Sequence, residues 1–136
     1  MLEFETLHHV AVVVSDLARS KEFYGGVLGL VEIARPPFSF DGAWYRAGDR
    51  DLHLIVARDP TFRLGKGINT QDGHLAFRVK SFSRALAYLE SKGFRTTNDE
   101  PGRSMRLNAD SVAGFPQIHL MDPDRNMIEI NAESVD

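Results

Sequence analysis

The chain has 136 residues, 43% hydrophobic and 26% charged, with a formal net charge of −3; this is the balance of a globular protein with a real core. The slight acidity, with no run of lysines or arginines, argues against nucleic acid or an anionic membrane as partner. Cysteine is absent, which removes disulfides, thiolate metal sites and thiol nucleophiles. No apolar run approaches the length of a bilayer span. MLEFETLHH carries acids before any apolar stretch, so a secretory signal is not expected and a cytoplasmic protein is the default.

In chain order, residues 7–14 form a β-branched run suited to a buried strand. Ser15 or Asp16 then offers an N-cap oxygen for a helix in which Leu17, Phe23, Val27 and Leu28 share a face, and Gly29 stops it. A short strand at 30–34 ends at Pro36-Pro37, and runs at 43–47 and 52–57 flank Gly48-Asp49-Arg50-Asp51 as a hairpin. Residues 58–72 are polar and glycine-bearing and read as a linker. A strand at 74–79, a helix at 83–92 and a strand at 94–97 follow. Residues 98–111 are expected to be a long polar loop, and strands at 116–121 and 127–132 close the chain around Asp122-Pro123-Asp124-Arg125-Asn126.

The chain reads as one unit written twice. HHVAVVVSDLARSKEFY from His8 returns in degenerate form as GHLAFRVKSFSRALAYL from Gly73, an alignment that sets His9 on His74, Ala11 on Ala76 and Phe23 on Tyr88. Each half is expected to run β-α-β-β-β: module 1 over 7–57, the linker over 58–72, module 2 over 73–132, together one domain of 1–136. Strand alternation puts Leu75, Phe77 and Val79 on one face of the strand at 74–79 and His74 with Arg78 on the other. The same parity groups His9, Ala11 and Val13, and leaves His8 on the opposite side or at the strand entrance, without a metal role.

In the last strand of each half a polar residue interrupts aliphatics: His53 in Leu52-His53-Leu54-Ile55, Glu129 in Met127-Ile128-Glu129-Ile130. Burying such a group is costly unless it has a partner. His9, His53, His74 and Glu129, matched in pairs by the repeat, meet that cost together if they bind one divalent cation. Three imidazoles and a carboxylate suit zinc, nickel, cobalt, iron or manganese better than magnesium or calcium.

LHHVAVVVSDLARSKEFYGGVLGL, GHLAFRV with its helix, and DPDRNMIEI resemble the vicinal oxygen chelate superfamily, which includes glyoxalase I, bleomycin resistance proteins and extradiol dioxygenases. The resemblance implies an α+β fold: two βαβββ modules forming a curved mixed sheet around a metal site, with the helices outside. It also implies His9, His53, His74 and Glu129 as ligands. Glyoxalase I carries a glutamate where this chain has His53, and the family shows glycine where Arg125 stands; Asn126 is expected to take the positive φ there.

The leading functional expectation is a glyoxalase-I-like lyase or isomerase acting on a small substrate with neighbouring oxygens. A divalent metal would polarise a carbonyl and stabilise an enediolate, and Glu129 would shuttle the proton. Trp44, Arg46, Gln117 and His119 are candidate substrate-pocket residues, although Trp44 also serves as a packing anchor and His119 as sheet cover. One alternative is an iron(II) extradiol-type dioxygenase using His9, His74 and Glu129, with His53 as acid or base. Another is a drug- or metabolite-binding resistance protein. Two-module relatives dimerise, so a homodimer is expected.

Overall fold

The duplicated order read from the sequence is present in the backbone of a computed structural model that describes residues 1–57 and 64–136. The elements run β1 (His9–Val14), α1 (Leu17–Lys21) continued by a π-helical turn at Glu22–Val27, β2 (Val31–Ile33), β3 (Gly42–Ala47), β4 (Arg50–Val56), β5 (His74–Arg78), α2 (Phe82–Ser91), β6 (Met105–Asn108), β7 (Gln117–Met121) and β8 (Met127–Asn131). The chain divides into two units, Met1–Pro60 and Thr61–Asp136. Each holds one four-stranded mixed sheet, ordered β1-β4-β3-β2 in the first and β5-β8-β7-β6 in the second. The fold is α+β with two βαβββ modules. Of the expected linker, residues 58–63 lie outside the described residues, and 64–72 contain turns without strand or helix.

In the first unit, Asp16 caps α1 by accepting the Arg19 backbone N–H at 3.0 Å, as its position ahead of the helix predicts. Beyond Lys21 the ladder widens, and the Leu28 N–H reaches the Phe23 carbonyl at 2.9 Å, an i→i+5 step. This overturns the face expected from a regular period. Ser20, Phe23 and Tyr24 are buried, whereas Leu17, Val27 and Leu28 are only half-buried. Gly29, at φ 71°, takes the left-handed conformation that ends the helix. Gly48, at φ 65°, occupies the first of the two positions joining Ala47 to Arg50, where a tight hairpin needs positive φ. The core face of this sheet presents Val12, Val14, Tyr45, Leu52 and Leu54, each at most 7% exposed.

The second unit corrects the expected strand at 94–97. Arg95 makes only an isolated bridge to Ser104, and the true edge strand is β6, inside the stretch read as loop. Its local sequence, Met-Arg-Leu-Asn, alternates weakly, and pairing with β7 (Met105 to Leu120, Leu107 to Ile118) stabilises it as a strand. Ile118, Leu120, Ile128 and Ile130 form the apolar face of the two central strands. α2 starts on the Ser81 hydroxyl, which accepts the Arg84 N–H at 3.2 Å, and it buries Phe82 and Leu89, two turns apart.

The turn between β7 and β8 is built on a carboxylate. Asp122 is fully buried; its Oδ1 accepts the N–H groups of Asp124 (2.9 Å) and Asn126 (2.8 Å), and its Oδ2 accepts the Asn126 side-chain amide at 2.9 Å. The expectation that Asn126 carries the positive φ is wrong: Arg125 does, at φ 66°. Asn126 is instead engaged through both its amides, and the Arg125 guanidinium donates to the Lys66 carbonyl at 2.6 Å. A left-handed L-residue costs about 1–2 kcal/mol, while the greater freedom of unfolded glycine returns about 0.5–1 kcal/mol of that. Arg125→Gly is therefore expected to stabilise the chain by roughly 0.5 kcal/mol in urea denaturation. A clear loss of stability would mean that the Lys66 contact outweighs the strain.

Candidate metal centre

Pairing in the second unit converges four polar side chains on one carboxylate. Glu129 lies on β8, between β5 and β7, opposite Ala76 on one side and His119 on the other. Its side chain is only 5% exposed. Glu129 Oε2 stands 3.3 Å from His74 Nε2 and 3.3 Å from His119 Nε2. Gln117 donates to Oε2 at 3.1 Å and Asn131 to Oε1 at 2.6 Å. Strand alternation places Gln117, His119, Glu129 and Asn131 on the same sheet face, the one opposite the isoleucines.

The chemistry of these donors fits a divalent cation. His74, His119 and Glu129 each offer a ligand atom, and the three atoms lie within 4.8 Å of one another. His74 Nδ1 sits 2.8 Å from the Asp72 carbonyl; a carbonyl only accepts, so Nδ1 donates and Nε2 faces the centre, the outer-shell arrangement common to ligating histidines. His119 is 2% exposed; its Nε2 faces Glu129, and its Nδ1 has no hydrogen-bond partner among the described residues.

Electrostatics sort the protonation states. Burial raises the Glu129 pKa, but hydrogen bonds from Asn131 and Gln117, with a smaller electrostatic pull from His119 and His74, outweigh it, and the net shift is downward. The carboxylate is ionised at neutral pH. The His119 pKa is lowered, chiefly by burial, against the opposing pull of Glu129. His119 is therefore a neutral imidazole, the form that donates a lone pair to a metal.

The first unit repeats the geometry with different chemistry. His53 lies on β4 opposite Ala11 on β1 and Trp44 on β3, the register that Glu129 has to Ala76 and His119. Its ring is sandwiched between Trp44 (centroids 4.0 Å apart, planes within 5°) and His9 (4.2 Å, 16°). His53 Nε2 is buried without a hydrogen-bond partner among the described residues, and burial followed by the neighbouring His9 lowers its pKa. Arg46, on the same face as Trp44, is held by Asp51 at 2.9 Å. His8 is exposed and contacts His9 through Nδ1 at 2.9 Å.

The expected ligands thus meet in pairs within units, His9 with His53 and His74 with Glu129. Of the expected pocket residues, Trp44 and Arg46 lie on the His53 face, and Gln117 and His119 surround Glu129. His119 is more than a pocket wall: its ring nitrogen touches the carboxylate. Asn131 and the Asp72 carbonyl escaped sequence reasoning altogether. A signal for His119 and Asn131 existed, since counting outward from the turn at residues 122–126 pairs Met121 with Met127, then His119 with Glu129, then Gln117 with Asn131.

The chain belongs to the glyoxalase/bleomycin resistance protein/dioxygenase superfamily, whose sequence model matches residues 6–130. It is 33% identical to Glyoxylase I 4 of Arabidopsis thaliana over 141 aligned positions, 98% of this chain and 75% of the relative. Its fold matches a glyoxalase family protein from Enterococcus faecalis with a TM-score of 0.69 at 24% identity, covering 94% and 98% of the two chains. It also matches the fosfomycin resistance protein FosX from Listeria monocytogenes, solved with manganese(II) and a dihydroxypropylphosphonic acid; there the TM-score is 0.70 at 14% identity, covering 97% and 95%.

The protonation states carry a consequence for stability. His53 and His119 sit below their ordinary value of 6.5 and Glu129 below 4.5. The unfolded chain therefore binds more protons, and stability must fall as pH is lowered. For the histidines the contribution is complete above 6.5 and is lost as pH drops through their folded values; Glu129 acts below 4.5. Chemical denaturation of metal-free protein is expected to give a lower midpoint at about pH 5.5 than at about pH 7.5. His119→Gln is expected to flatten that difference, and an already flat parent profile would contradict a neutral buried His119.

Proposed function

We propose that the protein is a metal-dependent lyase or isomerase of the glyoxalase I type, acting on a small substrate with two neighbouring oxygens. The observation that carries this reading is the ionised, buried Glu129, held between the Nε2 atoms of His74 and His119. A carboxylate so placed is both a ligand and a base. When bound, the ion supplies Lewis-acid polarisation of the substrate carbonyl. The chain supplies the rest. Asn131 and Gln117 hold the two Glu129 oxygens in place, so that one of them accepts a proton from the carbon beside the carbonyl and returns it to the neighbouring carbon. His74, its Nδ1 donating to the Asp72 carbonyl, presents Nε2 to the centre. His119 completes a two-histidine, one-carboxylate set.

The proposal retains His9 and His53 as the further ligands that the family resemblance implies. It also treats modules 7–57 and 73–132 as parts of one functional domain, in a cytoplasmic homodimer. The divalent ion is drawn from zinc, nickel, cobalt, iron and manganese, which suit imidazole and carboxylate donors. Trp44 and Arg46 are proposed to contact substrate.

Metal analysis of the purified protein is the first test, with near-stoichiometric divalent metal expected. His74→Ala and Glu129→Gln are each expected to lower metal affinity by at least about tenfold, the scale on which even outer-shell losses are felt. Hemithioacetal turnover in at least one metal form is expected; its absence in all of them rejects the glyoxalase reaction. Trp44 provides a separate reading of His53. It is the single tryptophan and lies stacked on that ring, so adding metal is expected to change its emission in the parent and not in His53→Ala. Equal responses in the two would remove His53 from the ligand set.

The set His74, His119 and Glu129 also favours a second reading, since iron(II) oxygenases use two histidines and a carboxylate on one face. Oxygen uptake with catechols by the iron(II) form supports ring cleavage, and no uptake rejects it. A protein that takes up no metal but binds an organic ligand would instead be a binding or resistance protein.

A further inference from the structure

A cleft of about 640 Å³ lies in the second unit along β6, and the described residues that line it include none of those around the Glu129 carboxylate. Met121 of β7 leaves the sheet on the same face as Arg106, while Met105 and Leu107 of β6 leave it on the other; among the described lining residues two arginines, Arg106 and Arg125, stand against one carboxylate, Asp99. The two guanidiniums differ in what they already hold. Arg125 is tied to the Lys66 carbonyl at 2.6 Å, which fastens the wall at Gly65 and Gly67. Arg106 is exposed, and among the described residues no hydrogen bond or ion pair engages its guanidinium.

Register connects Arg106 to the candidate centre. It pairs with His119 across β6 and β7, so both side chains leave the sheet on the same side. Its charge is among those that act on the His119 ring. A cation with no partner among the described residues, beside a roomy cleft and one strand from the residues around Glu129, is suited to a substrate anion, because guanidinium presents a planar fork matched to carboxylate and phosphoryl oxygens.

We propose that Arg106 is a specificity-determining residue that binds an anionic group of the substrate, a carboxylate or a phosphoryl or phosphonyl group, in the cleft beside His119. The substrate assignment rests on the active-site reading given above; the anion site itself does not. An acidic tail anchored at Arg106 leaves the other end of a small molecule free to present its neighbouring oxygens to the His119 and Glu129 face. The carboxylate of Asp99, on the rim, opposes that anion and moderates its affinity.

The test is an NMR titration of the full chain, metal-free and metal-loaded, following the Arg106 side-chain N–H signal with inorganic phosphate in one arm and acetate in the other. A saturable shift that weakens with added salt is expected in at least one arm. A response to phosphate alone assigns a phosphoryl or phosphonyl substrate, and a response to acetate as well admits carboxylates. Arg106→Gln is expected to weaken binding at least tenfold. Asp99→Asn is expected to tighten it, and Arg84→Gln, which removes the same charge from α2, to leave it unchanged. The inference is overturned if neither anion moves the Arg106 signal, or if Arg106→Gln binds as tightly as the parent. An Arg106 shift in a chain that takes up no metal supports the anion site and overturns only the function proposed above.

Discussion

A carboxylate on the central strand of a sheet, almost without solvent, has to be matched by donors or it will not stay ionised, and the second unit is organised around meeting that demand. Glu129 has two side-chain amides and two imidazole nitrogens around its two oxygens. Asn131 and Gln117 are the neutral donors, and they keep the charge on the carboxylate without adding a competing cation. In the proposed metal centre the histidines would be the exchangeable partners, and the two amides, not themselves ligands, would hold the carboxylate in place for a divalent ion.

The first unit shows what the same backbone does with a different residue at the same register. His53 stands where Glu129 stands, opposite an alanine on the parallel neighbour and an aromatic ring on the antiparallel one. An imidazole meets burial through its faces, and here it stacks on both sides, on Trp44 and on His9. Stacking satisfies the ring but not its edge, and Nε2 has no partner among the described residues. The duplicated modules have thus kept one geometry and divided the chemistry, with a hydrogen-bonded anion in one and a stacked neutral base in the other.

Much of this was legible in the residue order. The alternation Leu75, Phe77 against His74, Arg78 oriented β5 correctly, because a strand's two faces follow directly from parity. The cap at Asp16 and the stop at Gly29 were equally local. The helix face failed where the hydrogen-bond ladder changed period: a π-turn after Lys21 rotates Tyr24 inward, and no residue type in that stretch announces it. The strand at β6 failed for a different reason, since Met105 to Asn108 has little strand preference of its own and is held by its partner β7. Arg125 failed because strain at one residue is tolerated when a buried aspartate dictates the turn around it.

The sequence by itself determined the duplication, the four candidate ligands and the superfamily, since these depend on residue type and spacing along one chain. Only the tertiary structure decided which side chains surround each candidate. The place of His119 beside Glu129, the donation from Asn131 and the position of Arg106 on the same face all follow from strand register. Register is set by turn geometry and by non-local pairing of whole strands, and a shift of one residue would have turned every one of these groups to the other side of the sheet.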